Sequence, residues 1–385
     1  MEPTPVAQTD RGRRWAATMA GHGGEGQRHA HADSSAGLGT DGEVPPFDRL
    51  AREAGEDLVL APGATRAVSG GRREMPEEPD AWRTCFERDR DRILHSSAFR
   101  RLAGKTQVFV FPADHQRTRL SHALEVAQVA TAVARACRLN VALTEAIALG
   151  HDCGHGPGGH MSEDALGIFL PDGFDHAVWG ADVSLADLNL CEETLDGIRN
   201  HSWSRPAPTT PEGEVVSWAD RIAYLCHDWE DAVSAGIVTP ALLPDIVLGH
   251  CGETRSKQLR TFIEGTVAAT LRTGRVGMDD ELAAALAAFR QCNYEHIYLR
   301  PASVTQGESV VAVLRALVAH FTDQPNLIPG VRSGGGLAGG TDGAVFEAVA
   351  YVAGMTDRFA MAIAVSDLGW DRDRLPRGVD YLTGR

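Results

Sequence analysis

Apolar positions recur along most of this chain with the period of a helix. Between 82 and 103, Ile93, Leu94, Ala98, Phe99 and Leu102 fall at helical spacing. A loop from Gly104 past Pro112 to about Thr118 separates them from a second stretch, 119–137, with Leu120, Leu124, Ala127, Val133 and Cys137 on its apolar side. A short helix over 141–151, another over 160–169 and a longer one over 182–200 follow. Pro206, Pro208 and Pro211 interrupt the pattern before a long helix at about 214–235, whose buried stripe is Trp218, Ile222, Leu225 and Trp229. Further helices are expected at 254–273, 280–298, 307–322 and 344–364, the last preceded by a loop carrying Gly334, Gly335, Gly336, Gly339 and Gly340. No alternating strand pattern and no long repeat stands out. The pattern predicts an all-α protein.

Texture divides the chain further. Residues 1–45 are polar and rich in small residues, which predicts a disordered N-terminal extension. His22, His29 and His31 lie there, but nothing fixes their geometry, so a polar tail is the simpler reading than a metal site. Residues 46–80 read as a loosely attached lead-in in which Pro76 and Pro79 delay the first helix. A helical catalytic core is expected over 81–235 and a helical C-terminal region, packed on it, over 236–385.

Bulk composition narrows the choices. A hydrophobic fraction of 43% suits a globular chain. The net charge of −15 argues against a protein that coats nucleic acid, so DNA binding has no support from charge. Lys105 and Lys257 are the only lysines, leaving arginine to carry the positive charge. The seven cysteines are scattered with no C-x-x-C pair, as in reduced cytoplasmic proteins. No apolar run reaches the length of a membrane span, and the N-terminus lacks the apolar segment of a signal peptide. A soluble, cytoplasmic protein without membrane attachment is the expectation.

The chemistry concentrates in His151–Glu163, H-D-C-G-H-G-P-G-G-H-M-S-E. Adjacent residues of a regular helix diverge, so His151 and Asp152 can reach one ion only where a helix ends, and Gly150 and Gly154 permit that ending. A hydrolytic metal site needs one or two further ligands and open positions for water. His122, in R-T-R-L-S-H, and Asp220, in W-A-D-R-I-A-Y-L-C-H-D-W-E-D-A, supply them. A His2Asp2 set suits Mg or Mn first, with Fe, Co or Ni as further choices, over a thiolate-type zinc site. Asp220, Tyr224 and Asp228 recur every fourth residue and share one helix face, spanning about 12 Å. His160 and Glu163, at i and i+3, suit proton transfer, while His155 and Arg119 suit phosphate oxygens. Each of these alone has an ordinary reading, such as a capping histidine or a solvated carboxylate; their combination favours a metal site.

Together these residues resemble the HD-domain superfamily, and within it the deoxyguanosine triphosphate triphosphohydrolase branch. The resemblance covers about Phe86 to Ala235, with an echo at Y-V-A-G-M-T-D-R-F-A from Tyr351. It rests on F-R-R-L-A-G-K-T-Q-V-F, R-T-R-L-S-H, H-D-x-G-H-x-P-x-G-H-x-x-E and A-D-x-I-A-Y-x-x-H-D. It implies His122, His151, Asp152 and Asp220 as metal ligands, and His160 as the catalytic histidine with Glu163 as its acidic partner. It implies Arg119, His155, His176 and Arg221 as triphosphate contacts, with Arg358 as a further one. Tyr224 would pack on the deoxyribose, and Gln107 and Asp228 would read its 3′-hydroxyl. The implied reaction is water attack at the α-phosphorus of a deoxynucleoside triphosphate, dGTP being the first candidate, to give deoxynucleoside and tripolyphosphate. A nucleotide effector and a homo-oligomer using the C-terminal helices are further expectations.

Three positions depart from the pattern. Gly156 and Gly158 stand where many relatives carry Pro and Phe, predicting a looser loop. Trp179 stands where a polar contact is common. Two alternatives follow: an HD phosphohydrolase for nucleoside monophosphates or signalling nucleotides, or a nucleotide-binding sensor with impaired catalysis. Gln107, Tyr224 and Asp228 speak against the first, since a generic phosphate-ester site has no need of them; nucleotide binding without product would mark the second.

Overall fold

The computed structural model describes residues 9–18, 21–23, 26–39, 43–68, 71–331 and 337–378, with sixteen α-helices and no extended strand among them. They belong to two units, Met1–Phe47 and Asp48–Arg385. The first contains α1 (Asp10–Thr18) and an antiparallel bridge between His22 and His29. The expectation for 1–45 is a disordered extension; its described residues carry this helix and this bridge. Asp10 in the first turn and the Arg11 guanidinium 4.4 Å above the Trp15 ring favour a helix locally.

The second unit starts earlier than the apolar pattern suggested. Its helix α2 (Arg49–Val59) is capped by Asp48, whose carboxylate accepts from the Ala51 N–H at 2.9 Å. Buried Glu212 accepts from the Thr65 N–H at 3.0 Å, the Thr65 hydroxyl at 2.8 Å and the Asn140 N–H at 2.9 Å. Arg73 pairs with buried Asp89 at 2.6 Å, and Asp89 also accepts from the Cys191 N–H and the Thr194 hydroxyl. These bonds fasten the supposed lead-in to the core. Sequence hid them because Glu212 lies 147 positions from Thr65.

The core follows in order. Helix α3 (Cys85–His95) opens on a Thr84–Glu87 capping box, and α4 (Ser97–Arg101) on Ser96. Then come α5 (Arg119–Cys137), α6 (Val141–Gly150), α7 (Met161–Leu166), α8 (His176–Trp179), α9 (Glu192–Arg199) and α10 (Pro211–Ser234). Helix α5 packs on both α6 and α10. Its inward face is mostly small, with Ala123, Val126, Ala127, Ala130 and Ala134 buried, which lets the three axes approach closely. Leu124, assigned above to the apolar side, is 50% exposed.

The C-terminal helices are α11 (Asp245–Cys251), α12 (Arg255–Thr273), α13 (Asp280–Asn293), α14 (Pro301–Asp323), α15 (Asp342–Ala353) and α16 (Asp357–Ser366). Helices α11 to α13 extend the first apolar cluster, whereas α14 to α16 form a second one with Leu166, Phe174 and Trp179. Trp179 packs 4.9 Å from Phe174 and 5.5 Å from Phe346, so this departure faces apolar surroundings. Helix α14 is long and apolar enough to cross a membrane by length and composition. Val310, Val313, Leu314, Leu317 and Val318 on it are buried in the second cluster.

Some boundaries differ from the periodicity. The expected helix 182–200 breaks into a π-turn at Gly180–Ser184, a 3-10 turn at Ala186–Leu188, and α9. Asn189 ends the first part with φ +48°, and its amide bonds the Met75 backbone on both sides. The expected 344–364 helix divides at Gly354, and 280–298 ends in a π-turn, Tyr294–Tyr298. Gly334, Gly335 and Gly336 lie outside the described residues; Gly339 and Gly340 precede α15.

Candidate active site

Three helices bring the expected ligand set together. His122 stands on the first turn of α5, His151 and Asp152 follow the end of α6, and Asp220 lies in the middle of α10. The His122 Nε2 is 3.1 Å from Asp220 Oδ1 and 3.8 Å from Asp152 Oδ2. The His151 Nε2 is 3.5 Å from Asp152 Oδ1 and 3.7 Å from Asp220 Oδ1. Just beyond the helix end Gly154 passes the backbone of α8: a Cβ there would sit 1.9 Å from the His176 carbonyl oxygen.

The donor set fits a cation. His151 Nδ1 is 2.6 Å from the Ala148 carbonyl, an arrangement that fixes the ring and turns the Nε2 lone pair inward. That Nε2 is buried without a hydrogen-bond partner. Single ligand atoms of His122, His151 and Asp220 all lie within 4.8 Å of one another. Burial alone would raise the Asp152 carboxyl, but Arg119 and the neighbouring imidazoles outweigh it and hold it well below the usual range. Asp152 is therefore ionised and ready to ligate.

A second tier of groups surrounds this centre. The Arg119 Nη1 donates to Asp152 Oδ2 at 2.8 Å, and its Nη2 lies 3.4 Å from His160 Nδ1. His155 stacks on His176 with ring centroids 3.7 Å apart. Glu163 does not hydrogen-bond His160, as its i, i+3 spacing suggested; its carboxylate bonds the His176 Nδ1 and backbone N–H. The reason is that α8 brings His176 across the start of α7. This bond outweighs burial and draws the Glu163 carboxyl down to about 2. His160 opens onto the cavity but is walled by protein on its other side. That desolvation, then the charges of Arg119 and His176, push it down to about 4.

The polar stripe of α10 leads away from the centre. Tyr224 lines the cavity one turn beyond Asp220, and Asp228 a further turn on. Asp228 Oδ2 accepts from the Tyr298 hydroxyl at 2.6 Å, while Oδ1 is buried without a partner. Burial pushes this carboxyl up to about 7. Gln107 lines the same cavity, its Oε1 also buried and unpartnered. Arg221 lies beside Asp220 and stacks on Trp203. All these groups border one cavity of about 740 Å³. Arg358 does not: it is exposed and lines a separate recess of about 240 Å³ with Lys105 and Phe111. Its position one residue into α16 points it away from the metal centre's cavity.

The loop between α6 and α7 is braced, not loose. Gly158 and Gly159 adopt φ +75° and +65°, and a Cβ on Gly158 would meet Val310 Cγ1 at 2.4 Å. Buried Asp357 accepts from the Gly158 N–H at 2.8 Å and from the Thr106 hydroxyl at 2.6 Å. The Lys105 amino group donates to the carbonyls of His155 and Ala353. The echo around Tyr351–Ala360 is thus a clamp on the histidine loop.

Sequence reasoning missed several members. His201 lies with its ring 5.0 Å from His151, its Nδ1 against the Ile198 carbonyl and its Nε2 3.2 Å from His176 Nε2. Trp203, Arg290, Tyr298 and Arg300 also line the cavity. None shares a motif or helical spacing with the ligands, and only tertiary packing gathers them.

Comparison with known proteins places the chain in a family. The HD domain profile matches residues 119–225, and the phosphohydrolase-associated domain profile matches 276–365. A deoxyguanosinetriphosphate triphosphohydrolase-like protein of Caldanaerobacter subterraneus subsp. tengcongensis is 40% identical over 320 residues, covering 80% of this chain and 93% of the relative. One from Clostridium perfringens (strain 13 / Type A) is 40% identical over 308 residues, covering 74% and 87%. A third, from Syntrophus aciditrophicus, is 34% identical over 374 residues, covering 80% and 94%. With these likenesses spanning the helices that carry the site, the chain belongs to the HD-domain phosphohydrolases, in the deoxyguanosinetriphosphate triphosphohydrolase-like family.

Proposed function

We propose that this protein hydrolyses deoxynucleoside triphosphates, dGTP first among them, to a deoxynucleoside and tripolyphosphate. One observation carries the reading: His122, Asp152 and Asp220 of the candidate ligand cluster and Tyr224 and Asp228 of the α10 stripe border the same cavity. His122, His151, Asp152 and Asp220 would hold a divalent ion, Mg or Mn first, which would supply Lewis-acid charge near the phosphate and lower the pKa of water.

The protein's own groups do the rest. Arg119, His155, His176 and Arg221 bind triphosphate oxygens, Arg119 being fixed in place by Asp152. Tyr224 packs on the sugar, the unpaired Asp228 Oδ1 accepts from the 3′-hydroxyl, and the Gln107 side-chain amide, also unpaired at its oxygen, donates to that hydroxyl's oxygen. Water attacks the α-phosphorus and the bond to the 5′-oxygen breaks. His160, neutral at pH 7 because its pKa is pushed down, takes a proton and returns one to the leaving oxygen. Glu163 acts through His176, steadying the imidazole beside His155. A nucleotide effector, a homo-oligomer and a cytoplasmic location belong to the same reading.

Purified protein incubated with each deoxynucleoside triphosphate and Mg or Mn tests it. Deoxynucleoside and tripolyphosphate are the expected products. Deoxynucleoside monophosphate with pyrophosphate would sink the mechanism, because it places the broken bond between the α- and β-phosphorus.

A further inference from the structure

Arg221 is a half-buried cation whose partner in the structure is a ring. Its Cζ lies 3.6 Å from the centroid of Trp203. No carboxylate pairs with it among the described residues, and its Nε is buried without an acceptor. A half-buried guanidinium with no carboxylate partner is well placed to receive an anion.

Trp203 is held as firmly as a loop residue can be. Its indole N–H donates to the Ser217 carbonyl at 3.2 Å, and its ring meets Trp218 edge-on at 4.8 Å. Ser217 is one turn before Arg221 on α10, and Trp218 is the next residue. The ring is therefore bolted to the same helix that carries Asp220 and Arg221. It lines the metal-centre cavity while remaining 48% exposed.

We infer that Trp203 is a positioning residue: it holds the Arg221 guanidinium flat at the cavity wall so that its N–H edge meets the polyphosphate. An indole face suits this task better than a carboxylate does. It fixes the plane of the guanidinium through cation–π contact yet consumes none of its five N–H donors and none of its charge. A carboxylate partner in the same place would take two donors and cancel the charge meant for phosphate. The inference rests on the triphosphate reading above but concerns a residue that neither the ligand set nor the α10 stripe includes.

The test is equilibrium binding of inorganic tripolyphosphate to the full-length protein by calorimetry, comparing wild type, W203F, W203A, R221A and the W203A/R221A double variant. W203A should weaken binding about two- to thirtyfold, with W203F between it and wild type. The double variant should bind no more weakly than R221A alone, because the two residues act as one unit. W203A binding as wild type does would overturn the inference, as would losses that simply add in the double variant, or wild type that does not bind tripolyphosphate. Failure of the functional reading shows elsewhere, in the identity of the products formed by wild type.

Discussion

Among residues, the division of labour rests on which groups keep a proton. Asp152 is held ionised by Arg119, so Asp152→Ala should abolish both metal content and turnover, measured by elemental analysis and product assay. His160 touches none of the four ligands, so His160→Ala should keep its metal while losing about 10²–10⁴ in rate. Unchanged turnover would remove it from the proton-transfer role. Lys105 offers a pH signature. Burial, then the charge of Arg101, pushes it down to about 7 from an ordinary 10.5. Between those values the unfolded chain holds a proton that the folded chain has released, so stability from this site rises with pH across that window. Relative to Lys105→Met, wild type should therefore gain melting temperature as pH climbs from 7 to 10. A parallel pair of curves would contradict a neutral buried amine. Of the residues singled out from the sequence, His122, Asp152, Asp220, Gln107, Tyr224 and Asp228 do border one cavity, and His151 sits against Asp152 and Asp220, because helical spacing and motif phrases report on faces and turns. Arg358 does not, since its place depends on how α16 docks.

The element that matters most is the turn from α6 to α7. Its glycines allow backbone to pass backbone, and a clamp from distant segments holds the conformation they permit. Asp357 satisfies one backbone and one hydroxyl donor that are otherwise buried, and Asp357→Ala leaves both unpaired. We expect a loss of about 2–4 kcal/mol in denaturant unfolding, with helical circular dichroism preserved. Turnover should fall further than stability accounts for, because the loop carries His155 and His160. A variant as active as wild type would show that the loop holds itself. The looser loop inferred from Gly156 and Gly158 failed for a physical reason: absence of side chains reads as freedom in a sequence, whereas here it makes room for Val310, Ser162 and Asp357.

For the whole molecule, two apolar clusters both reach the site's cavity, Phe109 and Ile297 from one and Val110 and Phe174 from the other. One is built on α5, α6 and α10, the other on α14 to α16. Removing the chain beyond 300 should therefore cost the catalytic core its loop clamp, seen as proteolytic cleavage near Gly156–Gly159 and loss of metal. Removing Met1–Phe47 should leave the melting temperature and turnover unchanged, because the second unit contains its own core and the whole candidate site. A truncated protein that unfolds would show that the first unit supports the second.

The sequence by itself determined the helical class, the major helices and the four candidate ligands around His151–Glu163. Those are local properties: apolar period, capping residues, glycine at helix ends and short motifs all act within a few turns. Tertiary structure alone decided that Glu163 bonds His176, that His201 and Trp203 join the cavity, and that residues 48–80 belong to the core. Each of those depends on packing between segments tens to hundreds of positions apart, about which one chain's periodicity is silent. The histidine-rich stretch supplied the chemistry, and the surrounding helices fixed its direction.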